Sequence, residues 1–138
     1  MKTEQINNPS IKIEEFLDFV SDSRSKFNIA NQVLTESDNE IQDILHAIEF
    51  GNLTYQQNAK LAKRLKMARS ERRKAKNEIE MLCPIVTWSD ACKKELDGIK
   101  KLLGDARKIE SNLQRRVYVQ RTDVVKEVIG IDRCDGCV

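Results

Sequence analysis

Between Ile13 and Ile48 apolar residues recur at a strict spacing of seven, at Ile13, Val20, Phe27, Leu34, Ile41 and Ile48. A second series follows three residues behind: Phe16, Ala30 and Ile44, with Ser23 and Ser37 in register between them. Alternating steps of three and four place both series on one face of a helix, so the pattern predicts a long helix with a partner. At ~1.5 Å rise per residue, that helix reaches roughly 60 Å, and the molecule is expected to be elongated. Asn8 and Pro9 form a plausible start, because proline lacks only a donor that the first turn leaves unused. The Ser- and Asp-rich stretches Ser21 to Ser25 and Thr35 to Asn39 predict slackening, since these side chains compete for backbone bonds. Gly51 predicts the stop, as a left-handed cap residue.

Thr54 and Gln57 have capping-box spacing, and Leu61, Leu65, Ala68, Ala75, Ile79 and Leu82 form a second stripe interrupted by Arg72. Arg72 reads either as a snorkelling flank residue or as part of a buried polar interaction. The two stripes predict an antiparallel hairpin over residues 9–83, after a loose N-terminus over residues 1–8. Pro84 predicts an extended break, after which Thr87 and Asp90 open a third helix returning along the hairpin. Leu96, Ile99, Leu103, Ala106 and Leu113 line one of its faces. Gly98 and Gly104 each weaken it by ~1 kcal/mol relative to Ala, so packing is expected to hold it. Trp88 reads as an anchor between elements or, alternatively, as a stacking platform. From Val117 the β-branched residues Val117, Val119, Val124, Val125, Val128, Ile129 and Ile131 predict a short β segment, closing a unit over residues 84–131. Residues 132–138 read as a tail. The expected fold class is therefore mainly α: a long antiparallel helical hairpin, a third helix and a short C-terminal β segment, assembled at least as a dimer.

Charge sharpens this picture. A formal net charge of +2 over 138 residues conceals four Lys/Arg against ten Asp/Glu in residues 1–50 and nine against three in residues 51–82. Opposite halves of the hairpin therefore attract, within a chain or between chains. The run Lys60, Lys63, Arg64, Lys66, Arg69, Arg72, Arg73, Lys74 and Lys76 reads as a solvated flank complementary to the acidic helix, as a phosphate or nucleic-acid contact, or as a face for an acidic protein. Aromatic residues make up only 5% of the chain, which disfavours nucleic acid. No stretch is long and apolar enough for a membrane span or a secretory core, so a soluble, cytoplasmic chain with reduced cysteines is the expectation.

Candidate chemistry is sparse. Cys134 and Cys137 have CxxC spacing, but zinc requires about four ligands, and Cys83, Cys92 and His46 are distant in sequence. His46, three residues after Asp43, reads more simply as a helix residue than as a base. No nucleophile, base and orienting group share a pattern, so no enzyme activity, metal or cofactor is expected. The junction near the C-terminus is richer. Arg115, Arg116 and Arg121 supply guanidinium forks for phosphate, Tyr118 a stacking ring, and Thr122 and Asp123 partners for hydroxyls or a base edge. A solvated strand edge bearing ion pairs is the alternative.

The segments Leu45 to Glu49, Glu71 to Glu80 followed by Leu82, Cys83 and Pro84, and Tyr118 to Asp123 resemble small phage proteins from Gram-positive hosts. The chain is similar there to the first family of Thoeris anti-defence proteins, sponges that sequester cyclic ADP-ribose signals made by host TIR-domain proteins. The resemblance spans about residues 40–125. It implies helix-rich subunits with a small β part, homodimers or higher homo-oligomers, and inter-subunit pockets for a cyclic ADP-ribose-type small molecule near Arg121, Thr122 and Asp123. It also implies action in the cytoplasm of an infected bacterium. The competing expectation is a helical adaptor or inhibitor working by protein contact; a nucleic-acid binder ranks behind both.

Overall fold

The computed structural model describes residues 8–116 and 122–129. Four helices follow one another: α1 (Pro9–Phe50), α2 (Tyr55–Ala91), α3 (Lys93–Arg115) and α4 (Thr122–Ile129). Helices α1 and α2 form the expected long antiparallel hairpin. Arg72 of α2 meets Asp38 of α1, and nearer the other end Trp88 meets Phe16 edge-on at 6.2 Å between centroids.

The seam follows the heptad pattern with one reversal of emphasis. Its deepest positions on α1 are Val20, Ser23, Ala30, Ser37 and Ile44, and on α2 Ala68, Ala75, Val86 and Ser89. Ser23 and Ser37, expected to slacken α1, are each only 3% exposed, and α1 runs through both without interruption. Their value at this seam is small size: with Ala30 on α1 and Ala68 and Ala75 on α2, they keep the most buried positions of both helices small, and larger apolar residues such as Phe27, Leu34, Leu61 and Leu65 flank them half-buried. Polarity is absorbed locally, since the Ser23 hydroxyl donates to the Phe19 carbonyl at 2.7 Å.

The hairpin turn is built differently at its two sides. Thr54 and Gln57 form the full capping box, with Gln57 N–H donating to Thr54 Oγ1 at 3.2 Å and Thr54 N–H to Gln57 Oε1 at 3.0 Å. Gly51, however, does not take the left-handed conformation: its φ is −84° and its ψ 141°. Glycine fits here because a Cβ would stand 2.3 Å from the Ala47 carbonyl oxygen, the atom that accepts the Gly51 N–H. Asn8 likewise makes no side-chain cap. The carboxylate of Glu110, from α3, accepts the backbone N–H of Ser10 at 3.0 Å and its hydroxyl at 2.6 Å, so a distant element satisfies the first turn of α1.

Pro84 does not end the hairpin. Helix α2 continues through it to Ala91, although the Glu80 carbonyl loses its usual partner there. An interior proline costs ~3 kcal/mol, whereas full burial of an aliphatic side chain contributes ~1.5–3 kcal/mol. Val86 is 8% exposed, and with Ser89 and the Trp88–Phe16 contact it anchors the following turns on α1, which offsets the penalty. Arg24 adds a clamp, donating to Ser89 Oγ at 2.9 Å and pairing with Asp90. Thr87 thus lies inside α2, and the break comes at Cys92, whose φ of −113° and ψ of 42° leave the helical range for one residue.

Helix α3 packs on α1 far more than on α2. Leu96 and Lys100 lie beside Leu17 and Val20, Arg107 pairs with Glu14 at 3.1 Å, and Glu110 caps Ser10. Its contacts step back along α1 toward the N-terminus, so it runs on in the sense of α2 instead of returning along it. None of its residues is buried, and a Cβ on Gly98 or Gly104 would meet nothing within 4 Å. The packing that holds α3 is therefore its contact with α1, and among the described residues nothing closes on either glycine.

The C-terminal β segment is corrected outright: the described residues contain no strand, and Thr122–Ile129 is helix α4. Val124 and Val128 fall at i and i+4 beside Ile129, a spacing that suits a one-sided helix as readily as β-branched composition suits a strand. Val117, Val119 and Ile131 lie outside the described residues. The small β part implied by the resemblance is likewise missing from what is described.

Candidate functional site

The junction singled out in the sequence is only partly described. Arg115 and Arg116 sit exposed at the C-terminal end of α3, Arg115 in its last turn and Arg116 as its cap residue. Thr122 and Asp123 open α4. Tyr118 and Arg121 lie outside the described residues. A cation in the last turn of a helix also has a purely structural role, since it complements the negative end of the macrodipole. Among the described residues α4 contacts no other helix, and none of the grooves found there is lined by Arg115 or Arg116.

The basic run of α2 is a different case. Arg64 pairs with Glu40, and Arg72 Nε donates to Asp38 Oδ1 at 2.5 Å. Both pairs are substantially exposed, which limits each to about 1 kcal/mol or less. They are also the only two of the run's nine cations that form ion pairs among the described residues. Direct pairing with the acidic helix thus accounts for Arg64 and Arg72 among the described residues. Arg72 fits the flank reading: it is half-buried beside the seam, and its head reaches Asp38 in a pair that stays exposed rather than buried. Around that pair, Asp38, Ile41 and Gln42 of α1 and Arg69, Arg72 and Arg73 of α2 line a groove of about 500 Å³. The sequence contained this convergence as two matching i, i+3, i+4 triplets, but only the hairpin's register sets one against the other.

A second groove, of about 350 Å³, is almost wholly apolar and is lined by Phe16, Phe19, Val20, Pro84, Ile85 and Trp88. Trp88 is an anchor between α1 and α2, as one sequence reading had it, yet 41% of it stays exposed. On α3, Leu102, Ile109 and Leu113 make a further stripe, each more than half exposed. His46 is exposed and leans on the Phe50 ring at 6.1 Å. Among the described residues no three His, Cys, Asp or Glu side chains gather as metal ligands; Cys83 and Cys92 are free thiols, while Cys134 and Cys137 fall outside. No described helix is long and apolar enough to cross a membrane. No family model, curated protein or solved structure matches the chain.

Proposed function

We propose that this protein is a non-enzymatic helical contact module, an adaptor or inhibitor whose hairpin is a scaffold and whose outer apolar surfaces bind other protein chains, beginning with copies of itself. The supporting observation is uncovered apolar surface. Leu102, Ile109 and Leu113 of α3 are each more than half exposed, and Phe16, Phe19 and Trp88 of the hairpin remain 40% or more exposed. Among the described residues no large side chain is fully buried, and α3 is strongly one-sided yet buries no residue. A second chain over Leu102, Ile109 and Leu113 supplies the missing cover. Sedimentation and solution scattering test this directly. Wild type is expected to assemble at micromolar concentration, and Ile109→Lys with Leu113→Lys to dissociate it without loss of helicity by circular dichroism. A monomeric wild type that captures no stoichiometric partner from a lysate defeats the reading.

A second reading is sequestration of a cyclic ADP-ribose-type signal in an infected bacterial cell, blocking Thoeris signalling. It is supported by the resemblance of the Tyr118 to Asp123 segment and by the exposed, adjacent Arg115 and Arg116 just before it. A sponge needs convergent donors but no nucleophile, and assembly would supply the facing wall. Incubation with the nucleotide, heat denaturation and chromatography of the supernatant distinguish it: unchanged ligand is expected, a cleaved product indicates an enzyme, and absence of binding removes the reading.

A further inference from the structure

We infer that the groove between Asp38 and Arg73 is a binding site for a small phosphate-bearing anion of nucleotide size, carrying at least two negative charges. The site is separate from the Arg115 to Asp123 segment and does not require assembly through α3.

Three features of the groove lead there. Arg69, Arg72 and Arg73 stand at i, i+3 and i+4, so three guanidinium groups crowd one face of α2 within about one turn. Crowding like charges is unfavourable unless an anion lies among them, and among the described residues lining the groove only Asp38 supplies a carboxylate, which takes the Arg72 Nε–H at 2.5 Å. Among the described residues Arg69 and Arg73 have no ion-pair partner, so the groove carries an excess of about two positive charges at neutral pH. Secondly, Asp38 holds Arg72 by its Nε edge. The terminal nitrogens of that fork make no hydrogen bond among the described residues and remain available in a fixed plane, the geometry that binds phosphate oxygens in pairs. Thirdly, the volume of about 500 Å³ lies within the usual range for small-ligand sites, and the α1 wall offers an apolar surface, Ile41, beside an amide, Gln42. These suit the non-phosphate part of a nucleotide. A nucleic-acid strand would instead need a continuous track with stacking rings, and no aromatic side chain lines this groove.

Calorimetric titration with pyrophosphate and with ADP tests the inference. The expected result is saturable binding at one ligand per groove, weakened by salt, with ADP at least as tight as pyrophosphate. Arg69→Ala with Arg73→Ala should weaken it by about tenfold or more, while helicity and sedimentation stay as in wild type. Lys60→Ala with Lys66→Ala removes the same charge outside the groove and should change affinity by only about twofold. Equal losses in the two double variants would reduce the effect to diffuse charge and overturn the site, as would a failure of both ligands to bind at low salt. Affinity that climbs with oligonucleotide length while ADP fails to saturate would assign the run to nucleic acid instead. Sedimentation alone reads the contact-module proposal, and calorimetry with Arg115→Ala and Arg116→Ala reads the sequestration proposal, so each can fail separately.

Discussion

Two helices pack on α1, and they do so in opposite ways. Helix α2 meets it through small residues: Ser23, Ala30 and Ser37 on one side and Ala68 and Ala75 on the other are all at most 4% exposed. Helix α3 meets it through Leu96, Ile99, Leu103 and Ala106, which are covered only in part, and is pinned at its far end by Glu110 on Ser10 and Arg107 on Glu14. Small side chains at the most buried positions let a seam close without voids, whereas α3, none of whose residues is buried, leaves Leu102, Ile109 and Leu113 more than half exposed. The first contact suits a scaffold and the second suits a surface that exchanges partners.

Enlarging a residue in the tight seam should produce the greatest effect. Ala68 is 1% exposed, so Ala68→Leu is expected to force the helices apart and lower stability by about 2–3 kcal/mol in chemical unfolding. If the change is neutral, the seam is not close-packed, and the contrast with α3 fails. The clasp comes next. Glu110→Ala removes the acceptor for both Ser10 donors and should cost about 1–2 kcal/mol. Hydrogen exchange should locate the loss in α3 and the first turn of α1, leaving the Ala30 and Ala75 region protected; exchange that rises uniformly would mean that α3 and the hairpin unfold as one unit. The smallest effect is expected from Ser37→Ala, within about 0.5 kcal/mol, because size and not the hydroxyl selects this residue. A loss well beyond that would show that the Ser37 hydroxyl contributes a bond of its own.

The heptad steps from Ile13 to Ile48 and from Leu61 to Leu82 were sufficient to read the hairpin, its short turn and its elongation, because a 3/4 repeat places apolar side chains on one face whatever lies opposite. The Thr54 and Gln57 box was equally legible, being complete within four residues. Readings failed where a local preference met a distant partner. Ser23 and Ser37 looked like weak points and are among the most buried positions of the seam. Pro84 looked like a stop but was carried through by Val86 and Trp88, and Asn8 looked like a cap whose place Glu110 had taken. The β-branched run after Arg121 is locally ambiguous: its composition favours a strand, while the spacing of Val124 and Val128 favours a helix.

The candidate sites divide along the same line. Arg115, Arg116 and the Tyr118 to Asp123 segment could be named from residue types alone, since guanidinium forks beside an aromatic ring have the same chemistry in any fold. The groove of Arg69, Arg72 and Arg73 could not be, because its significance depends on which α1 turn faces it and on how few of the run's cations α1 neutralises. Periodicity and capping are properties of neighbours in the chain, separated by three or four residues, and the sequence by itself determined them. The depth of each seam residue, the continuation past Pro84, the sense of α3 and the convergence of charge depend on contacts between residues roughly 25 to 100 positions apart, whose register is decided only when whole helices pack.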